Sequence, residues 1–169
     1  MSSELGPIEA DVLLCDAAQE VGGKLFILGA GWSRALSQGP VTMALAIKLS
    51  LPWHTANHPM EILIALLTED GRPVPDASGK PVQIEGNLEV GRPPGLRQGT
   101  HLDSSFAITV TALPLLPGHY RWELSIAKEL LKTIPFEMIE IHSCHSPKLH
   151  LPHRPGQPLH TPASPGRRG

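Results

Sequence analysis

The sequence predicts an all-β protein, an antiparallel β-sandwich of about eight strands. Apolar residues recur at every second position in several stretches, for example from Val82 to Val90. Successive side chains on a strand point to opposite faces, so a period of two predicts strands with one buried and one solvated face. Turn residues separate these stretches at short intervals and no long helical period lies between them, which favours a sandwich.

The first four predicted strands are bounded by turn residues. The pair Gly22-Gly23 separates the first two strands and readily takes the positive φ angles that a two-residue hairpin demands. Pro52 ends the third strand because it lacks an amide donor. The fourth strand is apolar on both faces, which predicts a central strand or one covered on its outer side. The predicted ranges are 11–18, 24–32, 41–51 and 60–68.

The last four predicted strands cover residues 82–90, 105–112, a stretch from 120 onward, and 133–141. Pro135 and a switch of apolar register predict that the last is an edge strand with a bulge. Tyr120 follows Pro117-Gly118 at the start of an alternating strand, which predicts a tyrosine corner that pins a crossover between two sheets. This corner favours an immunoglobulin-like, Greek-key sandwich, and a closed β-barrel is the alternative.

Composition divides the 169 residues into one β domain, 1–141, and a tail, 142–169. All 16 acidic residues precede the tail, which contains six Pro, five His and four Lys or Arg. The tail has almost no apolar periodicity, so it offers too little apolar surface to offset the entropy of ordering. We therefore expect a disordered Pro/His/Arg-rich tail.

The chain as a whole has the composition of a cytoplasmic protein. Its net charge of −2 gives no pull toward nucleic acid or an anionic membrane. Two cysteines are too few for a disulfide framework, and the N-terminus lacks the pattern of a secretory signal. The longest apolar run, 62–67, is far shorter than the roughly 20 residues that span a bilayer.

Three stretches resemble an uncharacterised bacterial family of small β proteins. The opening hairpin at 10–34, ADVLLCDAAQEVGGKLFILGAGWSR, carries the most specific resemblance. The stretches IEGNLEVGRPPGLRQGT at 84–100 and LPGHYRWELSI at 116–126 are similar to later segments of the same family. The resemblance implies a compact domain of unknown function and brings no catalytic residues with it.

The best metal candidates lie in the tail, where imidazole and thiolate groups suited to Zn²⁺, Ni²⁺ or Cu²⁺ are close in sequence. Their spacing matches no known zinc finger, and a flexible chain must lose entropy to bind, so adventitious binding is the competing interpretation. The candidates are His142, Cys144, His145, His150 and His153.

Other motifs carry weaker signals. The glycines of Gly29-Ala30-Gly31 precede Arg34, where a dinucleotide fingerprint needs a third Gly and a following helix. His101, Asp103 and the two serines after it have the residue types of a hydrolase, yet adjacent residues rarely converge. Carboxylates in the loops are candidate ligands for a calcium ion. Two loop histidines are a weaker candidate pair, and one cysteine in a predicted core strand is the only candidate thiol nucleophile of the β domain. These residues are Asp16, Asp70, Asp76 and Asp103, then His54 and His58, then Cys15.

No set of catalytic residues stands out from the scaffold, so the sequence favours a non-enzymatic binding or assembly module without a cofactor. The predicted partner is another protein or a second copy of the chain. An outward strip at Leu63, Ala65 and Leu67 is to be covered either by the long connections at 69–81 and 91–104 or by a second subunit. The alternative function is a metal-dependent enzyme or hydrolase with its site in the loops.

Overall fold

A computed structural model describes residues 7–140, which form ten β-strands and one short 3₁₀ turn, Trp53–Thr55. In chain order the strands are β1 (Glu9–Cys15), β2 (Ala17–Val21), β3 (Lys24–Leu28), β4 (Arg34–Leu36), β5 (Val41–Leu51), β6 (Met60–Thr68), β7 (Gln83–Leu88), β8 (Leu102–Leu113), β9 (Gly118–Ile126) and β10 (Glu129–Ile139). The predicted all-β class is confirmed.

Two stacked sheets form the body of the molecule. One has the order β1-β5-β8, the other has the order β4-β10-β9-β6-β7, and β2 and β3 form a separate hairpin. One apolar core lies between the two sheets, and Trp122 crosses it to donate its indole N–H to Met43 Sδ at 3.3 Å. Across residues 7–140, all ladders are antiparallel except the short parallel pairing of β4 with β10.

The chain crosses between the two sheets several times. β5 and β8 are neighbours in the three-stranded sheet, while the strands that follow them, β6 and β9, are neighbours in the five-stranded sheet. Two chain connections, β5 to β6 and β8 to β9, therefore run side by side from one sheet to the other and link the two sheets. Among the described residues no ladder joins the edges of the two sheets, so the sandwich prediction is confirmed and the closed barrel is wrong.

The β8–β9 crossover carries the predicted tyrosine corner. The hydroxyl of Tyr120 donates to the backbone carbonyl of Leu116, four residues earlier, at 2.9 Å. The ring also stacks on Phe136 of β10 with centroids 5.6 Å apart. The corner therefore links the crossover to the five-stranded sheet, and this prediction is confirmed.

Strand β5 is buried on both faces from Met43 to Ile47, contrary to the expectation of one solvated face, while Lys48 on the outer face is exposed as expected. Leu45 and Ile47 point into the core. Ala44 and Ala46 point outward, yet they are as buried as the core residues. The hairpin β2–β3 covers them, because Ala18 and Leu25 pack against this second apolar cluster. The small alanine side chains leave room for the hairpin on the outer face.

Several strand boundaries differ from the prediction, among them those of the first, second and last predicted strands. The first predicted strand divides at Asp16, whose N–H bonds Leu28 O, so the chain turns from β1 into the hairpin. The second ends at Leu28 instead of residue 32, and the unpredicted strand β4 follows. The last begins at Glu129, directly after a two-residue turn in which Ala127 and Lys128 have positive φ. The described chain thus has ten strands where about eight were predicted.

The predictions for the fourth and last strands were each correct in part. β6 is a central strand between β7 and β9, as its two apolar faces indicated. β10 has a register shift between Leu130 and Lys132, before the predicted range, while its pairing with β9 is continuous from Lys132 to Met138, so the bulge predicted within 133–141 is wrong. β10 is not an edge strand along its whole length, because β4 pairs with its last three residues, 137–139.

No helix in the described part of the chain has the length and apolar character needed to cross a bilayer. The predicted tail, 142–169, lies outside residues 7–140, so its predicted disorder and its separation from the β domain stay predictions.

The packing of Trp122 gives a direct test of the core. Trp122→Ala is expected to lower the free energy of unfolding by about 3–5 kcal/mol, because the fully buried ring fills the space between the sheets. Glu123→Ala, one residue along on the outer face, should cost no more than about 1 kcal/mol. Urea titration of both variants measures the difference, and equal losses would contradict the register of β9.

The tyrosine corner gives a second test. Tyr120→Phe removes the hydroxyl that bonds Leu116 O and leaves the ring contact with Phe136 in place. We expect a loss of about 0.5–1.5 kcal/mol in stability, the usual net contribution of one such hydrogen bond. Thermal unfolding measures it, and an unchanged midpoint would show that the bond does not stabilise the crossover.

Candidate functional site

The metal candidates of the tail, His142, Cys144, His145, His150 and His153, lie outside the described residues, so the site they would form stays a prediction. Within residues 7–140 no group of three or more His, Cys, Asp or Glu side chains comes together as a metal site would require. Asp16, Asp70, Asp76 and Asp103 therefore do not assemble into the calcium site that the loops suggested.

Asp76 has a structural role that accounts for its carboxylate. One oxygen accepts hydrogen bonds from the N–H and the hydroxyl of Ser78, at 2.7 and 2.6 Å, and from the N–H of Lys80 at 3.0 Å. These bonds, chiefly the one from the Ser78 hydroxyl, lower the pKa of Asp76 below its usual value. The carboxylate closes the turn between β6 and β7.

Cys15 is placed as a structural thiol. It is fully buried, and its Sγ donates to the backbone carbonyl of Ala44 at 3.3 Å. Burial raises the pKa of the thiol, and the neighbouring Asp16 carboxylate raises it further. Because the thiolate is the nucleophilic form, this environment suppresses reactivity.

The residues proposed for a hydrolase are not brought together. The Nδ1 atom of His101 lies 3.1 Å from the hydroxyl of Ser50, across the β5–β8 ladder. Asp103 makes a loose ion pair with Lys48 at 3.9 Å, on the outer face of the three-stranded sheet. Ser104 pairs with Leu49 in the same ladder. His101 and Asp103 contact residues of β5, and no hydrogen bond joins them to Ser104 or Ser105, so no nucleophile–base–orienter arrangement forms from these residues.

The glycine motif before β4 has a backbone role. Gly29 has φ of 62°, and a Cβ there would collide with the side chain of Asp16. Gly31 donates its N–H to Leu14 O at 3.0 Å, which ties the loop to β1. A strand follows at Arg34 where a dinucleotide-binding fingerprint requires a helix.

His54 lies in the 3₁₀ turn and His58 in the loop before β6, and both are exposed. The loop that carries these histidines contacts the start of the connection after β7. Asn57 donates its N–H to Val90 O at 2.9 Å, and the Arg92 guanidinium lies 4.9 Å from the ring centre of Trp53. These contacts show that the two histidines lie in a loop that packs against the segment after β7.

Sequence reasoning missed a polar cleft beside the tyrosine corner. It is lined by residues of the β3–β4 loop, β9 and β10, including His119. Two ion pairs border it: Arg34 to Glu137 at 3.1 Å and Arg121 to Glu123 at 2.7 Å. The Arg34–Glu137 pair depends on β4 lying beside β10, which no local sequence signal indicates, whereas Arg121 and Glu123 are two residues apart on β9. Both arginines have carboxylate partners, so the cleft offers no unbalanced charge for an anionic ligand.

A cleft of about 670 Å³ lies over the outer face of β6, β7 and β9. Leu63 is part of its lining and remains 37% exposed, so the long connections do not cover it. Ala65 and Leu67 are half-buried. Glu61, Glu85 and Lys128 also line the cleft, so its surface combines three charged side chains with the apolar residues Ile62 and Leu63.

Three large apolar side chains are exposed together on one side of the hairpin β2–β3, and we call this side the hairpin face. It is the outer side of the hairpin, away from Ala44 and Ala46. Val21, Phe26 and Leu28 are 52%, 59% and 70% exposed there. Antiparallel pairing brings Val21 opposite Lys24, Gln19 opposite Phe26 and Ala17 opposite Leu28 on this side. The face is a short apolar strip on a projecting two-stranded sheet.

The fold and these surfaces define an antiparallel β-sandwich with an apolar hairpin docked on its outer face. Residues 10–139 match the model of a family described as "Family of unknown function (DUF6941)". The match covers most of the chain, and the protein belongs to this family; the resemblance seen in the opening hairpin and the later segments is confirmed.

Among solved structures, an immunoglobulin-like protein from Pseudomonas aeruginosa is similar to this chain. The two share 13% identity with a TM-score of 0.42, and the match covers 81% of this chain and 100% of the other. No curated protein matches the chain. The assignment to an antiparallel sandwich rests on the pairing of this chain's own strands.

The placement of Cys15 predicts its reactivity. In a Cys144→Ser variant, the Cys15 thiol should react with an aromatic disulfide reagent only very slowly at neutral pH, because it is buried and its pKa is raised. The same protein in denaturing urea should react at the rate of a free thiol. Absorbance of the released thiolate follows the reaction, and rapid labelling of the folded protein would show that Cys15 is accessible.

Proposed function

We propose that this protein is a non-enzymatic β-sandwich module that acts by binding another protein or by assembling with further copies of itself. The observation that carries the proposal is the hairpin face, where Val21, Phe26 and Leu28 are each more than half exposed. Clustered apolar side chains on a surface mark interaction sites more often than isolated ones do.

The anchoring of the hairpin supports this function. Its inner side packs on Ala44 and Ala46 through Ala18 and Leu25, so the hairpin is held to the sheet. A rigidly held apolar strip loses little conformational entropy when a partner binds, which favours affinity. The hairpin thus has one face for attachment and one for recognition.

The engagement of the polar residues supports the non-enzymatic part of the proposal. The Cys15 thiol, the Asp76 carboxylate and the His101 imidazole each contact groups of the scaffold itself. Catalytic groups need perturbed pKa values matched to a task and open toward substrate. Here the resolved pKa shift of Cys15 makes it less reactive, and that of Asp76 comes from closing a turn.

We also propose a cytoplasmic location. Cys15 is an unpaired thiol enclosed by the β2–β3 hairpin and the three-stranded sheet. Such a thiol is compatible with a reducing compartment, where disulfides are rare.

Photo-crosslinking tests the proposed function. A photoreactive amino acid replaces Val21 on the hairpin face, and in the matched control it replaces Leu130 on β10, which is also 52% exposed. In cells of the source organism, we expect adducts from position 21 and few from position 130. Mass spectrometry then identifies each adduct as a second copy of the chain or as another protein.

An activity screen of the full chain against hydrolase substrates, with and without added divalent metals, complements the crosslinking. We expect no turnover above background. Absence of adducts at position 21 would contradict the role of the hairpin face. Turnover that is lost on His119→Ala, in the polar cleft, would contradict the non-enzymatic function.

A further inference from the structure

The free edge of strand β3 has a defined hydrogen-bonding pattern. A two-residue turn, Gly22-Gly23, makes Val21 and Lys24 a hydrogen-bonded pair. Hydrogen-bonded and non-hydrogen-bonded pairs alternate along an antiparallel ladder. The N–H and C=O groups of Leu25 and Ile27 therefore point away from β2, toward the open edge.

This edge lacks the usual protection against pairing. In the part of the chain that the structure describes, β3 pairs with β2 alone, and Leu25 and Ile27 make no further backbone hydrogen bond. Natural proteins shield such edges with proline, with charged side chains or with a covering segment. The sequence of β3 is KLFIL, in which Lys24 is the single charged residue and stands at one end.

We infer that two copies of this chain associate by antiparallel pairing of β3 with β3, with Phe26 at the two-fold axis. The inference rests on the proposed function and names its partner. A two-fold axis requires the same surface on both copies, and an antiparallel pair of identical strands meets this requirement. The product is a four-stranded sheet, β2-β3-β3-β2, continuous across the dimer.

The register centred on Phe26 fits the outward groups of the edge. It places Leu25 of one copy opposite Ile27 of the other, and both residues present N–H and C=O outward. The two such pairs form four hydrogen bonds. Phe26 then faces Phe26 of the second copy in a non-hydrogen-bonded pair, where side chains approach most closely, and aromatic cross-strand pairs are favourable.

The charges are also compatible with this register. Lys24 of each copy stands opposite Leu28 of the other, so the two ammonium groups lie at opposite ends of the ladder. The edge of β2 is less suitable for self-pairing because Glu20 is part of it. The strip at Leu63 is less suitable because Glu61 and Glu85 border it and β6 already has neighbours on both sides.

The size of the contact sets the expected affinity. Each copy contributes one strand of five residues, Lys24–Leu28, and its neighbouring side chains. Such an interface falls below the roughly 1,200 Å² of total buried area under which complexes are weak or transient. We therefore expect a dimer that forms in the micromolar range and above, visible as a sedimentation coefficient that rises with concentration.

Disulfide trapping tests the register. In the Cys144→Ser background, Phe26→Cys places two thiols at the axis, with Cα atoms about 4.5 Å apart, within the range that a disulfide spans. Mild oxidation of the full chain should convert this variant mainly to a linked dimer. Gln19→Cys, opposite Phe26 within the hairpin, is the control and should stay largely monomeric. Preferential linking through position 19 would overturn the inference.

Proline substitution tests the backbone pairing. Ile27→Pro removes an N–H that faces outward and leaves the ladder with β2 intact, since proline is tolerated where the N–H faces solvent. Losing this donor from both copies should raise the apparent Kd of the dimer roughly 10- to 100-fold. Glu20→Pro removes the equivalent outward N–H from β2 and should leave the Kd unchanged. Thermal unfolding of both variants verifies that the hairpin still folds.

The outcomes separate this inference from the proposed function. A wild-type chain that stays monomeric at several hundred micromolar overturns the β3 dimer, while adducts to another protein at position 21 would keep the binding module. A dimer that Ile27→Pro leaves unchanged but Leu63→Glu disrupts moves self-association to β6, and this also overturns the inference. A dimer lost on Ile27→Pro and retained on both Glu20→Pro and Leu63→Glu supports it.

Discussion

Burial of β5 on both faces, from Met43 to Ile47, is the constraint on which the rest of the structure depends. Its inward side chains, such as Leu45 and Ile47, fill the core between the two sheets, where the hydrophobic effect stabilises most. On its outer face, the small side chains of Ala44 and Ala46 leave space in which the β2–β3 hairpin packs, and the hairpin buries them. Without the hairpin, the apolar side chains of Cys15, Ala44 and Ala46 would be exposed, so the hairpin is an integral part of the fold.

The position of the hairpin has a consequence for function. A two-stranded hairpin is at best marginally stable alone in water, so its order depends on the contact with the sheet. The side that makes this contact is occupied, and the opposite side, with Phe26 and Leu28, faces solvent together with the free edge of β3. The packing that completes the core therefore creates the apolar surface, and the same contact holds it in a defined orientation.

Several polar side chains, unlike those of the hairpin face, make their main contacts within the fold. Tyr120, Asp76 and Arg121 direct their polar groups to backbone atoms, which close a crossover, a turn and the start of a loop. Buried or half-buried polar atoms must find such partners because leaving them unpaired is costly. Within the described range, residues 7–140, the side chains of Cys15, Asp76 and His101, which the sequence offers for chemistry, thus make contacts inside the fold.

Much of the fold was predictable from local pattern. Alternation located the long strands, and the Pro-Gly turn before Tyr120 located the tyrosine corner. The elements that the pattern did not predict depend on residues distant in sequence or on a backbone conformation that is rare for the residues present. β4 has three residues, and its strand character comes from pairing with β10, about a hundred residues away in sequence. The turn at Ala127-Lys128 has positive φ without glycine, so it carries no turn signature in the sequence.

By itself the sequence determined which face of each long strand points inward, because alternation is a local property that the pleat of a strand converts directly into direction. Only the tertiary structure decided what happens on the outward faces. Ala44 and Phe26 both point away from the main core, yet one is buried and the other is 59% exposed. The difference depends on whether another segment docks over the residue. Docking depends on strand order and crossovers, and the alternation of apolar residues carries no information about either.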